Sequence, residues 1–210
     1  MVSDDWDNYW SSKKKNKVFR IFRTQIFARA VRYYIDTYFP KEGIFLEAGC
    51  GSGQSSLRIN KYDRKFIALD ISKKALEEAK KNKKFDEFIL GDISNLPFSD
   101  NSLDGIWNLG VMEHFREDKL SDVLNECYRV LKKDGHFIIF WASKMAHYKI
   151  LLDFYNKIFK QNLQLFPDEP TRVKSKKHAK EIMSKTKFTS VEIFFSWRDF
   201  FTDVVIVAKK

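Results

Sequence analysis

Cysteine is scarce in this chain: there are two in 210 residues, Cys50 and Cys127. Two thiols are too few for a disulfide framework. No uninterrupted apolar run approaches the ~20 residues that a membrane-spanning helix requires. The first residues, Met1-Val2-Ser3-Asp4-Asp5-Trp6, are acidic and lack the basic-then-apolar order of a secretory leader. A cytoplasmic location is the expectation from these absences. His136, His147 and His178 show no metal-ligand spacing. There is no internal repeat and no low-complexity linker.

What is present fits one folded unit. The chain is long enough for one sizeable core, and 44% of its residues are hydrophobic. The formal net charge is +10, which permits nucleic acid, anionic lipid or acidic metabolites as partners. The lysines are scattered, at 13–15, 80–84 and 174–187, without a nucleic-acid motif. A lysine-rich solvated surface explains them equally.

The central half alternates strand and helix patterns. Strands are expected at 43–48, 65–69, 87–90, 105–108 and 136–141, and helices at 54–60, 73–81 and 118–131. Such alternation implies a Rossmann-like, mostly parallel sheet with helices on both faces. Two further strands, 190–196 and 203–208, turn about Asp199 and close the chain. A seven-stranded α/β sheet with an antiparallel last strand is therefore expected. An amphipathic helix over 18–39 ends at Pro40. Helices are also expected at 145–160 and 175–185, around a loop with Pro167 and Pro170.

The sheet is organised around Ile44-Phe45-Leu46-Glu47-Ala48-Gly49-Cys50-Gly51-Ser52-Gly53-Gln54. An apolar run ends in an acid, and three glycines then alternate with small residues. Glycines there let the backbone turn sharply and let a ligand approach the main chain. The dinucleotide fingerprint would need glycine at 54, which is Gln54. No Gly-Lys-Ser/Thr follows, so a P-loop is excluded. No Lys or Arg lies between 44 and 57, which suits a phosphate-free nucleoside cofactor. Asp70, ending the second strand, can accept from both ribose hydroxyls, or cap the following helix if Ser72 does not.

The Glu-x-Gly-x-Gly-x-Gly pattern resembles motif I of the class I S-adenosylmethionine (SAM) dependent methyltransferases. Leu90-Gly91-Asp92-Ile93 resembles the family's next motif, and 103–115 and 124–137 resemble the segments after it. The resemblance spans about 43–141 and the last strands, and is nearest to the broad type 11 group. It implies SAM as cofactor. Glu47, Ala48, Gly49, Gly51 and Gly53 would lie against its methionine portion and Asp70 on its ribose. Ile71 would meet the adenine face, Asp92 the adenine amino group, and the Ile93 backbone the ring edge. Asn108 and Leu109 would contribute backbone groups. The chain lacks the Asn/Asp-Pro-Pro-Tyr/Phe motif of base and glutamine amino methylation, and the Pro-Cys pair of cytosine methylation.

Methyl transfer from a sulfonium needs an in-line approach and exclusion of water. A base is needed only for a hydroxyl, phenol or acidic carbon. His114 and Glu113, just past strand four, are the candidate catalytic groups. Glu113 could equally support the loop, hold the cofactor's amino end or ligate a metal, and His114 could simply pack beside Phe115. Glu-His here resembles lipid cyclopropane synthases and ubiquinone-pathway O-methyltransferases, which points toward a lipid-like acceptor. Residues 1–40 are expected to form a helical extension or lid, and residues 41–210 the SAM-binding domain with a cap insertion at about 142–174. Trp6, Tyr9 and Trp10 are expected to fold over the cleft with the 144–170 segment, or to patch the outer face of the domain. Three functions stay open: methylation of a small-molecule or lipid-linked acceptor, with peripheral membrane contact; methylation of RNA or protein; and SAM binding without catalysis. Oligomeric state is not legible.

Overall fold

The computed structural model describes residues 3–12, 22–144, 169–195 and 203–210. Its seven strands are β1 (Glu42–Ala48), β2 (Asp63–Asp70), β3 (Glu87–Leu90), β4 (Leu103–Leu109), β5 (Leu131–Ala142), β6 (Ser190–Phe195) and β7 (Asp203–Lys209). They lie in the order β3-β2-β1-β4-β5-β7-β6. β7 alone is reversed: it pairs antiparallel with both β5 and β6, and every other pairing is parallel. The order doubles back between β1 and β4, and an open sheet binds ligands at such a switch point, beyond its strand C-termini.

Side-chain alternation divides the core. Leu46, Ile67, Leu69, Ile106, Phe137, Ile139 and Ile206 face one side, and Phe45, Phe66, Ala68, Trp107, Ile138 and Phe140 the other. This is the period-two pattern of strands buried on both faces. The first side is covered by α4 (Glu117–Val130) and α5 (Lys176–Met183), through Leu120, Leu124, Ala179 and Ile182. The second is covered by α2 (Ala28–Tyr38) and α3 (Lys73–Lys80), through Val31, Ile35, Leu76 and Ala79. A further helix, α1 (Ser3–Ser12), precedes them.

Three expectations change. The helix expected at 54–60 is a single 3-10 turn, Gln54–Ser56. The amides of Ser56 and Ile59 bond three residues back, to Gly53 and Ser56, while the Ser55 and Ser56 hydroxyls turn down to Glu47. The expected 18–39 helix is α2 preceded by a π-helical turn, Phe22–Phe27. There the Arg58 Nε takes the Thr24 carbonyl at 3.0 Å, drawing it away from an α-helical ladder. β5 starts at Leu131, and its pairing with β4 shifts register between Leu103 and Gly105 of β4. The expected helix at 145–160, the turn at Asp199 and residues 13–21 lie outside the described residues.

Candidate SAM-binding cleft

β1 ends in a cradle. Gly49, Gly51 and Gly53 take φ of 79°, 53° and 66°, a region that L side chains rarely adopt. The amides of Gly49 and Cys50 both donate to the Leu69 carbonyl, at 2.8 and 3.0 Å, which ties the cradle to the end of β2. A Cβ on Gly49 would lie 2.5 Å from Val111, and one on Gly51 would lie 2.8 Å from the Trp10 ring. The loops after β1, β2 and β4 therefore converge, and α1 lies against them.

Glu47 supports this cradle from beneath. It is buried, and its two carboxyl oxygens accept from the Ser55 hydroxyl at 3.3 Å and the Ser56 hydroxyl at 2.6 Å. Trp107 donates its indole N–H to Ser56 Oγ at 3.2 Å, which leaves the Ser56 proton for Glu47. Burial pushes the Glu47 carboxyl up to about 8, against the pull of those hydroxyls. Ala48 is buried in the core face. Burial likewise raises the Cys50 thiol well above its usual range, so it is no ready nucleophile.

Asp70 stands between the first two loops. Its Oδ2 accepts from the Gly51 amide at 2.7 Å and its Oδ1 from the Ser72 amide at 2.9 Å. Ser72 takes over the helix cap, its hydroxyl accepting from the Ala75 amide at 3.1 Å. Burial raises the Asp70 carboxyl, and the Ser72 and Gly51 amides oppose that rise. Each oxygen retains acceptor capacity beyond its amide. Ile71 is half-buried beside it. After β3, Asp92 Oδ1 closes a local turn on the Ser94 amide at 2.8 Å, and the Ile93 side chain packs into the core. Leu109 is partly buried against the opposite core face.

Among the described residues, the end of β4 and the turn after it carry three buried polar atoms without a hydrogen-bond partner. Asn108 is fully buried, and its carboxamide nitrogen and oxygen have no hydrogen-bond partner; nor does Glu113 Oε2. Buried polar atoms without partners point to a group or water that completes the site. Glu113 and His114 sit in a 3-10 turn, Met112–His114, whose Glu113 carbonyl accepts from the Thr171 amide at 3.1 Å. Burial pushes the Glu113 carboxyl up to about 8; the Glu169 charge adds to this, and Arg172 opposes it. Glu113 is therefore a neutral acid near pH 7. His114 meets the Trp6 ring edge-on at 4.8 Å.

Sequence reasoning did not single out Asp7, Glu169 or Arg172. Arg172 is buried, bonds Glu169 and donates to the Ser143 carbonyl at 3.0 Å. This anchors the segment that returns to β5 at the Ser143–Val173 bridge. An Arg three residues after an acid was the available signal, but the partner carbonyl lies 29 residues away. Among the described residues no group of three His, Cys, Asp or Glu could hold a metal ion.

A sheet with one reversed strand, a glycine cradle free of cations, and an acid at the next strand end define a class I SAM-dependent methyltransferase domain. The cradle's left-handed glycines and the unpartnered Asn108 carboxamide fit the cofactor of that class, SAM. Residues 46–139 match the model of the type 11 family, described as a methyltransferase domain. The chain is 38% identical over 100 residues to the demethylmenaquinone methyltransferase of Thermotoga maritima, covering 48% of this chain and 43% of that protein. It is 39% identical over 94 residues to a malonyl-acyl-carrier-protein O-methyltransferase of Erwinia pyrifoliae, covering 44% and 35%. The chain thus spans less than half of either relative. Among solved structures, a SAM-dependent methyltransferase from Archaeoglobus fulgidus superposes with a TM-score of 0.71 at 20% identity, over 94% of this chain and 100% of that one. A Thermotoga maritima SAM-dependent methyltransferase gives 0.65 at 21%, over 99% and 95%. These likenesses show the fold.

Proposed function

We propose that this protein transfers a methyl group from SAM to a small-molecule or lipid-linked acceptor. The observation that carries the reading is the meeting of three loops at the switch point: the glycine cradle, Asp70 bridging to it, and the neutral Glu113 beside His114. Glu47, Ala48, Gly49, Gly51 and Gly53 shape the pocket for the methionine portion. Asp70 accepts from the ribose, Ile71 lies on the adenine face, the Ile93 backbone meets the ring edge, and Asp92 accepts from the adenine amino group. Asn108 and Leu109 floor the cleft. SAM supplies an electrophilic methyl on a good leaving group, so the protein's work is alignment and exclusion of water. Trp6 and its edge contact to His114 supply an apolar roof, and a neutral acid beneath it can donate a hydrogen bond to an acceptor oxygen. The two named relatives act on a quinone precursor and a carrier-bound acyl acid, which supports acceptors of that size.

The test is transfer of a labelled methyl group to a panel of quinols, phenols and acyl acids, with RNA and protein as comparators. Transfer to one small acceptor class by the wild type is expected. Asp70→Ala should weaken binding of the demethylated cofactor by about 2–4 kcal/mol, the scale of two charge-assisted bonds. Labelling confined to RNA and lost with added salt overturns the acceptor class. Unchanged affinity in Asp70→Ala overturns the cofactor assignment.

A further inference from the structure

α1 touches all three loops of the cleft. Trp6 and Trp10 are four residues apart and share a helix face. Trp6 meets His114 after β4 at 4.8 Å, and Trp10 covers Gly51 after β1. Tyr9 joins the two indoles edge-on, with ring centres 5.6 and 5.5 Å away, and the Arg23 guanidinium lies 5.6 Å over the Trp10 ring. The third contact is polar and follows β2: Asp7 Oδ1 accepts from the Ser72 hydroxyl and from the Lys74 amide, the latter at 3.2 Å. Asp7 and Ser72 thereby divide the first-turn amides of α3, Ser72 taking Ala75.

These bonds close a circuit. Asp7 holds Ser72, the Ser72 amide holds Asp70, Asp70 holds the Gly51 amide, and Gly51 lies under Trp10 of the same helix as Asp7. α1 therefore lies against the same loops that a ligand on Asp70 and the cradle would use. Alongside the aromatic and cation–π contacts, α1 is held by a carboxylate at the positive end of a helix. The Ser72 hydrogen bond and Lys74 amide keep that carboxyl below the usual aspartate range.

We propose that α1 is the gate of the cofactor cleft and that Asp7 is its latch, the bond whose opening sets how fast cofactor and demethylated product exchange. This rests on the methyltransferase reading of the same cleft.

The test uses the full chain and S-adenosylhomocysteine, with release followed by tryptophan fluorescence after rapid dilution, and amide exchange at Lys74 as an independent reading of the latch. Asp7→Ala should release the ligand roughly tenfold faster, the size of losing a charged helix cap, and should unprotect the Lys74 amide. Asp7→Asn keeps an acceptor oxygen without the charge and should fall between. Should Asp7→Ala melt below the wild type, Asp7→Asn carries the same comparison. A Lys74 amide as protected in the variants as in the wild type overturns the latch. An unprotected Lys74 with unchanged release overturns the gate. A wild-type chain that binds no S-adenosylhomocysteine overturns the methyltransferase reading itself, a result separate from either.

Discussion

Glu113 concentrates the electrostatics of the cleft in one side chain. It is 3% exposed, and one carboxyl oxygen has no partner. Burial lifts its proton affinity from the ordinary 4.5 to about 8. Between those values the folded protein holds a proton that the unfolded chain has released, so stability falls as pH rises. The contribution is whole below pH 4.5 and is lost by about pH 8. Glu113→Gln mimics the protonated acid and removes this dependence. Denaturant melts at several pH values should show the wild type losing stability relative to Glu113→Gln, by up to ~1.4 kcal/mol per pH unit. Glu47 shifts in the same direction but is common to both proteins and cancels. A constant difference across that range would mean Glu113 is ionised in the folded state.

Among the elements, β2 is fastened to α2 by a buried cation. Arg64 is 2% exposed. Its guanidinium donates to the Phe39 and Pro40 carbonyls at 2.8 and 2.7 Å, where α2 ends, and pairs with Asp36 at 2.8 Å. It thus satisfies the carbonyls of the turn that joins α2 to β1. Removing it leaves those carbonyls and Asp36 Oδ1 without this donor, while Asp36 Oδ2 keeps Asn60 and Arg32. Arg64→Ala should cost about 3 kcal/mol, read as a lower denaturant midpoint with unchanged slope. Because β2 carries Asp70, loss of cofactor affinity should follow that of stability. A variant as stable as the wild type would show that the Phe39 and Pro40 carbonyls find water instead.

For the whole molecule, α1 is the part that the two cores do not need. The core on either face is built from α2 to α5 and the sheet, while α1 lies outside both, against the strand-end loops, the first turn of α3 and Arg23 of the π-helical turn. A chain lacking residues 1–17 should therefore fold and melt cooperatively. It should lose at least tenfold in turnover on the true acceptor, because the aromatic roof and the exclusion of water go with it. Full turnover in the truncated chain would mean that the three aromatics at the cleft take no part in the acceptor site.

The sequence by itself determined the sheet and the cofactor class. Strand periodicity along β1, β2, β4, β5 and β7 is local, and the glycine series with the acid at the end of β2 needs little beyond chain order to be recognised. The tertiary structure decided what depends on residues far apart in the chain. It turned Glu47 inward to two serines and stopped the helix expected after Gly53 at one turn. It buried the Glu113 carboxyl, which favours its neutral form against the pull of Arg172. It also brought Asp7 to Ser72, 65 residues away in the chain, for which an acid between two tryptophans gives no local signal. Burial and long-range pairing fix these side chains, and neither has a period that a sequence can show.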